Sequence, residues 1–98
     1  MLNPMPAEQM VDAQNRPYFM RELTLDRFLK GLEDHNPEGR AYLLGQLMRE
    51  ARPDDVFSFV SPRELIEAWP EVEGYLGKQK IFWDWLLTNW EAQGLVWR

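Results

Sequence analysis

The sequence predicts an all-α, or mainly α, fold: a compact bundle of about four helices with at most a minimal two-stranded β element. Three residues suited to helix N-termini, Thr24, Asn36 and Ser61, each precede a segment in which apolar side chains recur with helical spacing. Gly94 follows the last such segment, where glycine favours a left-handed helix end. We therefore expect helices near residues 25–34, 37–51, 62–69 and 78–93.

The first two predicted helices carry clear apolar faces. In "TLDRFLKGLED" the i, i+3, i+4, i+7 spacing predicts a narrow stripe that faces the core, formed by Leu25, Phe28, Leu29 and Leu32. In "PEGRAYLLGQLMREA", Pro37 suits the first helical position, where its missing N–H costs nothing. The broad apolar face of this helix comprises Ala41, Leu43, Leu44, Leu47, Met48 and Ala51. Pro53 is expected to end it.

The next segment is less regular. "DDVFSFV" fits either a short extended piece at 57–60, which would pair with residues 95–97, or one turn of helix. "SPRELIEAW" is clearer, because Ser61 and Glu64 have the spacing of a capping box and Pro62 suits the first helical position. This pattern predicts a short helix that ends before Pro70, followed by a connector over residues 70–77.

Helical phase also predicts the core. The residues expected to be among the most buried are Leu29, Leu44, Leu47, Leu65, Trp85 and Leu86. The large apolar side chains of residues 18–20 are expected to cover an edge of that core. Residues 1–17 contain three prolines and no periodicity, so we expect a flexible N-terminal tail there and a single helical domain over residues 18–98.

Composition narrows the classes of function. The chain has no cysteine, which excludes disulfides and thiolate metal sites, and its one histidine, His35, has no second imidazole with which to build a metal site of the usual kind. Ser58 and Ser61 have no general base nearby in sequence. The glycines match no phosphate-binding fingerprint. We therefore expect no catalytic, cofactor-binding or metal-binding residues, and no enzyme activity.

Charge and hydropathy indicate an acidic, cytoplasmic protein. Residues 1–52 carry 7 basic and 8 acidic side chains, whereas residues 53–98 carry 4 and 8, so the C-terminal half holds most of the net charge of −5. A pI near 4.8 is far from the basic footprint of a DNA-binding domain. No apolar run approaches the roughly 18 residues of a membrane span, and the N-terminus lacks the pattern of a secretory signal.

The C-terminal stretch "KQKIFWDWLLTNWEAQGLVWR" holds four of the five tryptophans. At about 100° per residue its large apolar side chains spread over roughly 240°, more than twice the width of an ordinary stripe that faces a core. Either this helix is central in a monomer, or part of it meets another chain. We expect the side with Trp83, Leu87 and Trp90 to bind a protein partner or a second copy in a homodimer, and Ile81 and Trp85 to be covered by the preceding helices.

The order of elements resembles a known family. The helix at 37–51, the apolar segment at 57–60, the helices at 62–69 and 78–93 and the ending "EAQGLVWR" together resemble the body of a winged helix-turn-helix domain, over about 60 residues. The resemblance implies a DNA-binding transcriptional regulator, with Arg63, Lys78 and Lys80 contacting nucleic acid. The sequence departs from that family in its connector at 70–77, which is twice the usual length of 3 to 4 residues.

Two functions from different classes follow. The first is a small, non-catalytic, tryptophan-rich interaction module that associates with itself or docks on a larger protein through its aromatic C-terminal helix. The alternative is a transcriptional regulator of the winged-helix type. Salt dependence separates them, because DNA binding through several cations weakens steeply with salt and an apolar interface hardly responds.

Overall fold

The computed structural model describes residues 3–34 and 36–94, and this part of the chain is mainly helical. Its five α-helices are α1 (Leu25–Glu33), α2 (Pro37–Glu50), α3 (Pro53–Val56), α4 (Pro62–Val72) and α5 (Lys80–Ala92). Single 3-10 turns cover Ala7–Gln9, Glu73–Tyr75 and Gly77–Gln79. Within the described residues no strand forms, and one isolated bridge joins Val11 to Pro17. The expected α-helical bundle is confirmed.

The predicted helix caps are present. Thr24 Oγ1 accepts a hydrogen bond from the N–H of Arg27 at 3.4 Å. Ser61 and Glu64 form a full capping box, in which each side chain accepts the other residue's backbone N–H at 3.1 and 3.0 Å. At the end of α5, Gly94 has a φ of +73°, the left-handed conformation that glycine adopts without a steric penalty. Local sequence chemistry therefore sets the starts of α1 and α4 and the end of α5.

Helix α4 is longer than predicted, because it continues through Pro70 to Val72. A proline inside a helix removes one backbone donor and usually ends or kinks the helix. Here the chain beyond Pro70 is held by packing, since the side chains of Val72 and Leu76 are fully buried. Burial of these two side chains outweighs the local preference, which is why the predicted end was wrong.

Residues 57–60 form a helical turn rather than a strand. The N–H of Phe57 donates to the carbonyl of Asp54 and that of Phe59 donates to the carbonyl of Val56, both at 3.1 Å. The turn continues α3 and directs Val60 into the core. Residues 95–97, the other half of the expected strand pair, lie outside the described residues.

The core surrounds α2, which contacts α1, α3 and α4. Leu44, Leu47 and Leu65 are fully buried, as predicted. The predictions for Leu29 and Trp85 were wrong, because 39% and 60% of these residues are exposed. Leu86, also expected among the most buried residues, is half-buried.

Aromatic packing explains which side of α1 faces the core. The ring of Phe28 meets the rings of Phe19 and Phe59 edge-on, with centroids 5.2 and 5.4 Å apart. Phe28 is fully buried by these contacts. Phe28 is the largest side chain of the predicted stripe and lies at the centre of this contact. The side of α1 that faces the core is therefore centred on Phe28, and Leu29 lies at the surface.

The N-terminal segment is packed against the helices, in contrast to the expected flexible tail over residues 1–17. Met10 and Pro17 are buried. The N–H of Tyr18 donates to the carbonyl of Met10 at 3.0 Å, and the N–H of Leu25 donates to the carbonyl of Asn15 at 2.8 Å. Residues 18–20 cover the core as predicted, with two of the three side chains buried. Described residues before 18 therefore belong to the folded domain.

Candidate interaction surface

The inner side of α5 is fixed by Trp83. Its side chain is fully buried, and its indole Nε1 donates a hydrogen bond to the carbonyl of Met48 at 2.9 Å. Met48 lies in the last turn of α2, where carbonyl groups have no partner within the helix, so the indole satisfies one of them. The ring of Phe57 packs against Trp83 and Trp90, with centroid distances of 6.0 and 5.4 Å.

This arrangement corrects the predicted partner surface. Trp83 and Leu87 are fully buried within the chain, and Trp90 is half-buried against Phe57. The prediction assumed that the preceding helices cover the opposite flank of α5. Instead, the end of α2 and the turn after α3 lie on the side of Trp83. Periodicity alone does not reveal this, because the contact depends on a backbone carbonyl that needs a donor.

The outer side of α5 presents two large apolar side chains. Ile81 is 81% exposed and Trp85 is 60% exposed. Because they are four residues apart, they lie one helical turn apart on the same side of the helix. We call this pair, with the half-buried Phe82 beside it, the Ile81–Trp85 face. The sequence predicted that the preceding helices cover both residues, so the structure exchanges the two sides of α5.

Two contacts within α5 involve Trp85. The rings of Phe82 and Trp85 lie 6.2 Å apart at a tilt of 38°. The side-chain amide of Asn89 donates to the carbonyl of Trp85 at 3.1 Å. On the inner side, the hydrogen bond of Trp83 joins α5 to α2, and the exposed pair points outward.

The three cations of the DNA-binding alternative lie at two places. Lys78 lies in the turn Gly77–Gln79 and Lys80 begins α5, and both are exposed. Arg63 belongs to the first turn of α4, where its Nε donates to the carboxylate of Glu67 at 3.4 Å. Two of the cations therefore lie at the start of α5. The third, Arg63, is paired with an acid of its own helix, α4.

A second pair of exposed aromatic side chains, Tyr42 and Tyr75, packs edge-on with a centroid distance of 5.9 Å. Tyr75 approaches α2 at Gly45, where a Cβ atom would lie 2.5 Å from the Cβ of Tyr75. Arg49 donates to the carbonyl of Tyr75 at 2.9 Å. These contacts join the 3-10 turn Glu73–Tyr75 to α2, so the tyrosine pair has a role within the fold.

A shallow groove of about 210 Å³ lies between α2 and α4. Ala41, Leu44 and Ala68 contribute apolar lining, and Arg40, Glu67 and Glu71 contribute charged lining. The guanidinium of Arg40 is committed to the fold, because its Nε donates to the carbonyl of Leu32 at 2.9 Å and its terminal nitrogen donates to Glu64 at 3.4 Å. The cation of the lining is therefore bonded within the fold, and two carboxylates, of Glu67 and Glu71, further disfavour an anionic ligand.

The one buried carboxylate of the described residues, Asp55, ties the N-terminal segment to α3. It accepts hydrogen bonds from the hydroxyl of Tyr18 at 2.8 Å and from the N–H of Met5 at 3.1 Å. The same hydroxyl accepts from the N–H of Arg52 at 2.8 Å. Partial burial raises the pKa of Tyr18 above its usual value, partly offset by the bond from Arg52. The hydroxyl of Ser58 donates to the carbonyl of Met5.

Residues 3–34 and 36–94 contain no group of three histidine, aspartate or glutamate side chains arranged to hold a metal ion. His35, the lone imidazole considered above, lies outside this part of the chain. None of the described helices is both long and apolar enough to cross a membrane. Comparisons of the chain with protein-family models, with curated proteins and with solved structures find no match. The resemblance to a winged helix stays a prediction.

Proposed function

We propose that the protein is a non-catalytic helical module that binds another protein chain through the Ile81–Trp85 face of α5. The observation that carries the proposal is the exposure of these two large apolar side chains, 81% and 60%, one turn apart on one helix. Single exposed apolar residues are ordinary on protein surfaces. Two adjacent ones, which include a tryptophan, form a patch of the kind found at the centres of protein interfaces.

The energetics favour a covered face. Full burial of one large apolar side chain stabilises a complex by about 1.5–3 kcal/mol. Tryptophan is enriched among interface residues whose truncation costs most. Anchors at i and i+4 on one helix are also the pattern by which a helix docks on a groove or on another helix. Ile81 and Trp85 have this spacing.

The bonding of the possible nucleophiles and bases supports a non-catalytic role. Ser58 donates to the carbonyl of Met5, and Ser61 caps α4. Asp55 accepts hydrogen bonds from the hydroxyl of Tyr18 and from a backbone N–H. These bonds account for a carboxylate in the core without a catalytic role. Each of these polar groups contributes to the fold, and the large side chains that α5 exposes at Ile81 and Trp85 are apolar.

The proposal is tested by the size of the complex that the protein forms in a gentle lysate of its own cells. We expect the wild-type chain to elute well above its mass of 11.7 kDa in size-exclusion chromatography. The variant Ile81→Glu/Trp85→Glu should elute at the monomer mass, because charges on the face oppose burial. Lys30→Glu is the control, since Lys30 lies on the exposed side of α1. Elution of the wild-type chain at the monomer mass would overturn the proposal.

A further inference from the structure

We infer that the groove between α2 and α4 binds one basic side chain, a lysine or an arginine, carried by a partner protein. This is a second binding site. It shares no residue with the Ile81–Trp85 face, and it goes beyond the proposed function without depending on it. Two properties of the groove identify the occupant. Its lining accepts an aliphatic stem, and the charge left available on it is negative.

Small side chains line the groove on both helices. Ala41 of α2 and Ala68 of α4 each end at the Cβ atom, which leaves space between the helices. Leu44, one turn after Ala41, is fully buried and adds apolar surface. The volume of the groove, about 210 Å³, lies below the roughly 300–1,000 Å³ of common small-molecule sites. The groove therefore has room for one long side chain rather than for a cofactor.

The charged side chains of the lining leave only negative charge available. Arg40 is bonded within the fold, as described above. Glu67 forms an ion pair with Arg63, but both side chains are largely exposed, and such pairs contribute little. Glu71 lies one turn after Glu67 on the same side of α4, and within residues 3–34 and 36–94 it forms no hydrogen bond or ion pair. A cation in the groove thus meets one weakly held carboxylate and one unpaired carboxylate.

A basic side chain matches both properties at once. Lysine and arginine bury their methylene stems against apolar surface while the cationic head stays at the edge. In this groove the stem lies on Ala41 and Ala68, and the head reaches the carboxylates of Glu67 and Glu71. An aliphatic side chain gains only the first contact, and an anion is repelled. Because the groove is shallow, the backbone of the basic residue stays outside it. The formal net charge of −5 also attracts a basic segment.

Titration of the purified full chain with blocked amino acids, followed by NMR of its backbone amides, tests the inference. The probes are N-acetyl methylamides of lysine, of hydroxynorleucine, whose hydroxyl replaces the ammonium group, and of diaminobutyrate, whose stem is two methylenes shorter. We expect the lysine probe to shift the amides of Ala41 and Ala68, with a Kd on the order of 10 mM. Diaminobutyrate should bind roughly tenfold more weakly, because each buried methylene contributes about threefold to fourfold. The neutral probe should bind roughly threefold more weakly. Equal affinity for lysine and diaminobutyrate, or no shift at Ala41 and Ala68, would overturn the inference.

Variants of the chain locate the contact. Ala68→Leu keeps every charge but fills the groove, so it should remove binding of the lysine probe. Glu71→Gln removes the unpaired carboxylate and should weaken binding roughly threefold. Glu22→Gln is the matched control, because it makes the same change in net charge at an exposed residue before α1 and should leave binding unchanged. Circular dichroism checks that the helices are intact. If Ala68→Leu does not fold, the comparison of Glu71→Gln with Glu22→Gln decides, and equal binding by these two variants would overturn the inference.

Two further measurements separate this site from a site for a free amine and from the Ile81–Trp85 face. Butylammonium carries the stem and head of lysine without a backbone. If it binds in the groove and blocked lysine does not, the ligand is a free amine, and the inference of a protein partner is overturned. Trp85→Ala should leave binding of the lysine probe unchanged, because Trp85 does not line the groove. Loss of binding in that variant would place the probe on the other surface and overturn the inference. Failure of the lysine probe leaves the proposed function standing, because the lysate experiment depends on the Ile81–Trp85 face.

Discussion

The indole Nε1 of Trp83 lies 2.9 Å from the carbonyl oxygen of Met48 and donates a hydrogen bond to it. This bond joins α5 to the last turn of α2 and determines which side of α5 faces the core. Trp83 is fully buried as a result, and Trp85, two residues later, points to the other side and is 60% exposed. The two tryptophans therefore have opposite roles on one helix.

The first prediction compares these two tryptophans. Trp83→Ala should lower the free energy of unfolding by about 3–5 kcal/mol, because it leaves a cavity and an unsatisfied carbonyl. Trp85→Ala should cost about 1 kcal/mol or less, as expected for an exposed side chain. Urea denaturation of dilute protein measures both. Equal losses for the two variants would show that the orientation of α5 described above is wrong.

Much of the fold was predictable from the sequence, and the reasons are local. Thr24, Asn36 and Ser61 determine helix starts through their own side chains, so the caps can be recognised without tertiary structure. Leu44 and Leu47 lie in the middle of a broad apolar face, so any reasonable packing buries them. These features depend on a few residues that are adjacent in the chain.

The candidate site was not predictable in the same way. Apolar side chains cover about two thirds of the circumference of α5, so periodicity does not distinguish its two sides. The choice depends on Met48, thirty-five residues earlier, whose carbonyl receives the indole hydrogen bond. The docked N-terminal segment was missed for a similar reason. Its position depends on the buried carboxylate of Asp55, whose hydrogen-bond donors, Tyr18 and Met5, are far from it in the chain.

The second prediction concerns this carboxylate. Asp55→Ala should destabilise the domain by about 3 kcal/mol, because it leaves the hydroxyl of Tyr18 and the N–H of Met5 without their acceptor. It should also increase amide hydrogen exchange in residues 5–12 more than in α2. Asp54→Ala is the matched control, because Asp54 is only half-buried and accepts one bond, from the N–H of Asn3 at 3.3 Å. Equal effects of the two substitutions would contradict the proposed tether.

The third prediction uses two glycines of α2. Gly45→Ala should cost about 1–3 kcal/mol, because the new methyl group would lie 2.5 Å from the Cβ of Tyr75. Gly39→Ala should stabilise the domain by about 0.5–1 kcal/mol, since the nearest side-chain atom, Nδ2 of Asn36, is 3.7 Å away and alanine favours helix. Thermal denaturation of the two variants should therefore shift in opposite directions. A stabilising Gly45→Ala would disprove the close approach of Tyr75.

The fourth prediction concerns nucleic acid. An acidic domain that presents an apolar helix should not shift random duplex DNA in a gel at low salt, even though Lys78 and Lys80 are exposed at the start of α5. A shift that disappears with added salt and with Lys78→Ala/Lys80→Ala would favour the winged-helix regulator. The same variant tested for association indicates whether those lysines serve a protein partner instead.

The most direct test of the central claim, that α5 binds another chain through its Ile81–Trp85 face, is site-specific photo-crosslinking in the protein's own cells. Benzoylphenylalanine in place of Trp85 should give a discrete adduct with a second protein chain, whether a copy of this one or another. The same probe in place of Lys30, on the exposed side of α1, should give none. An adduct from position 30 with none from position 85 would contradict the claim.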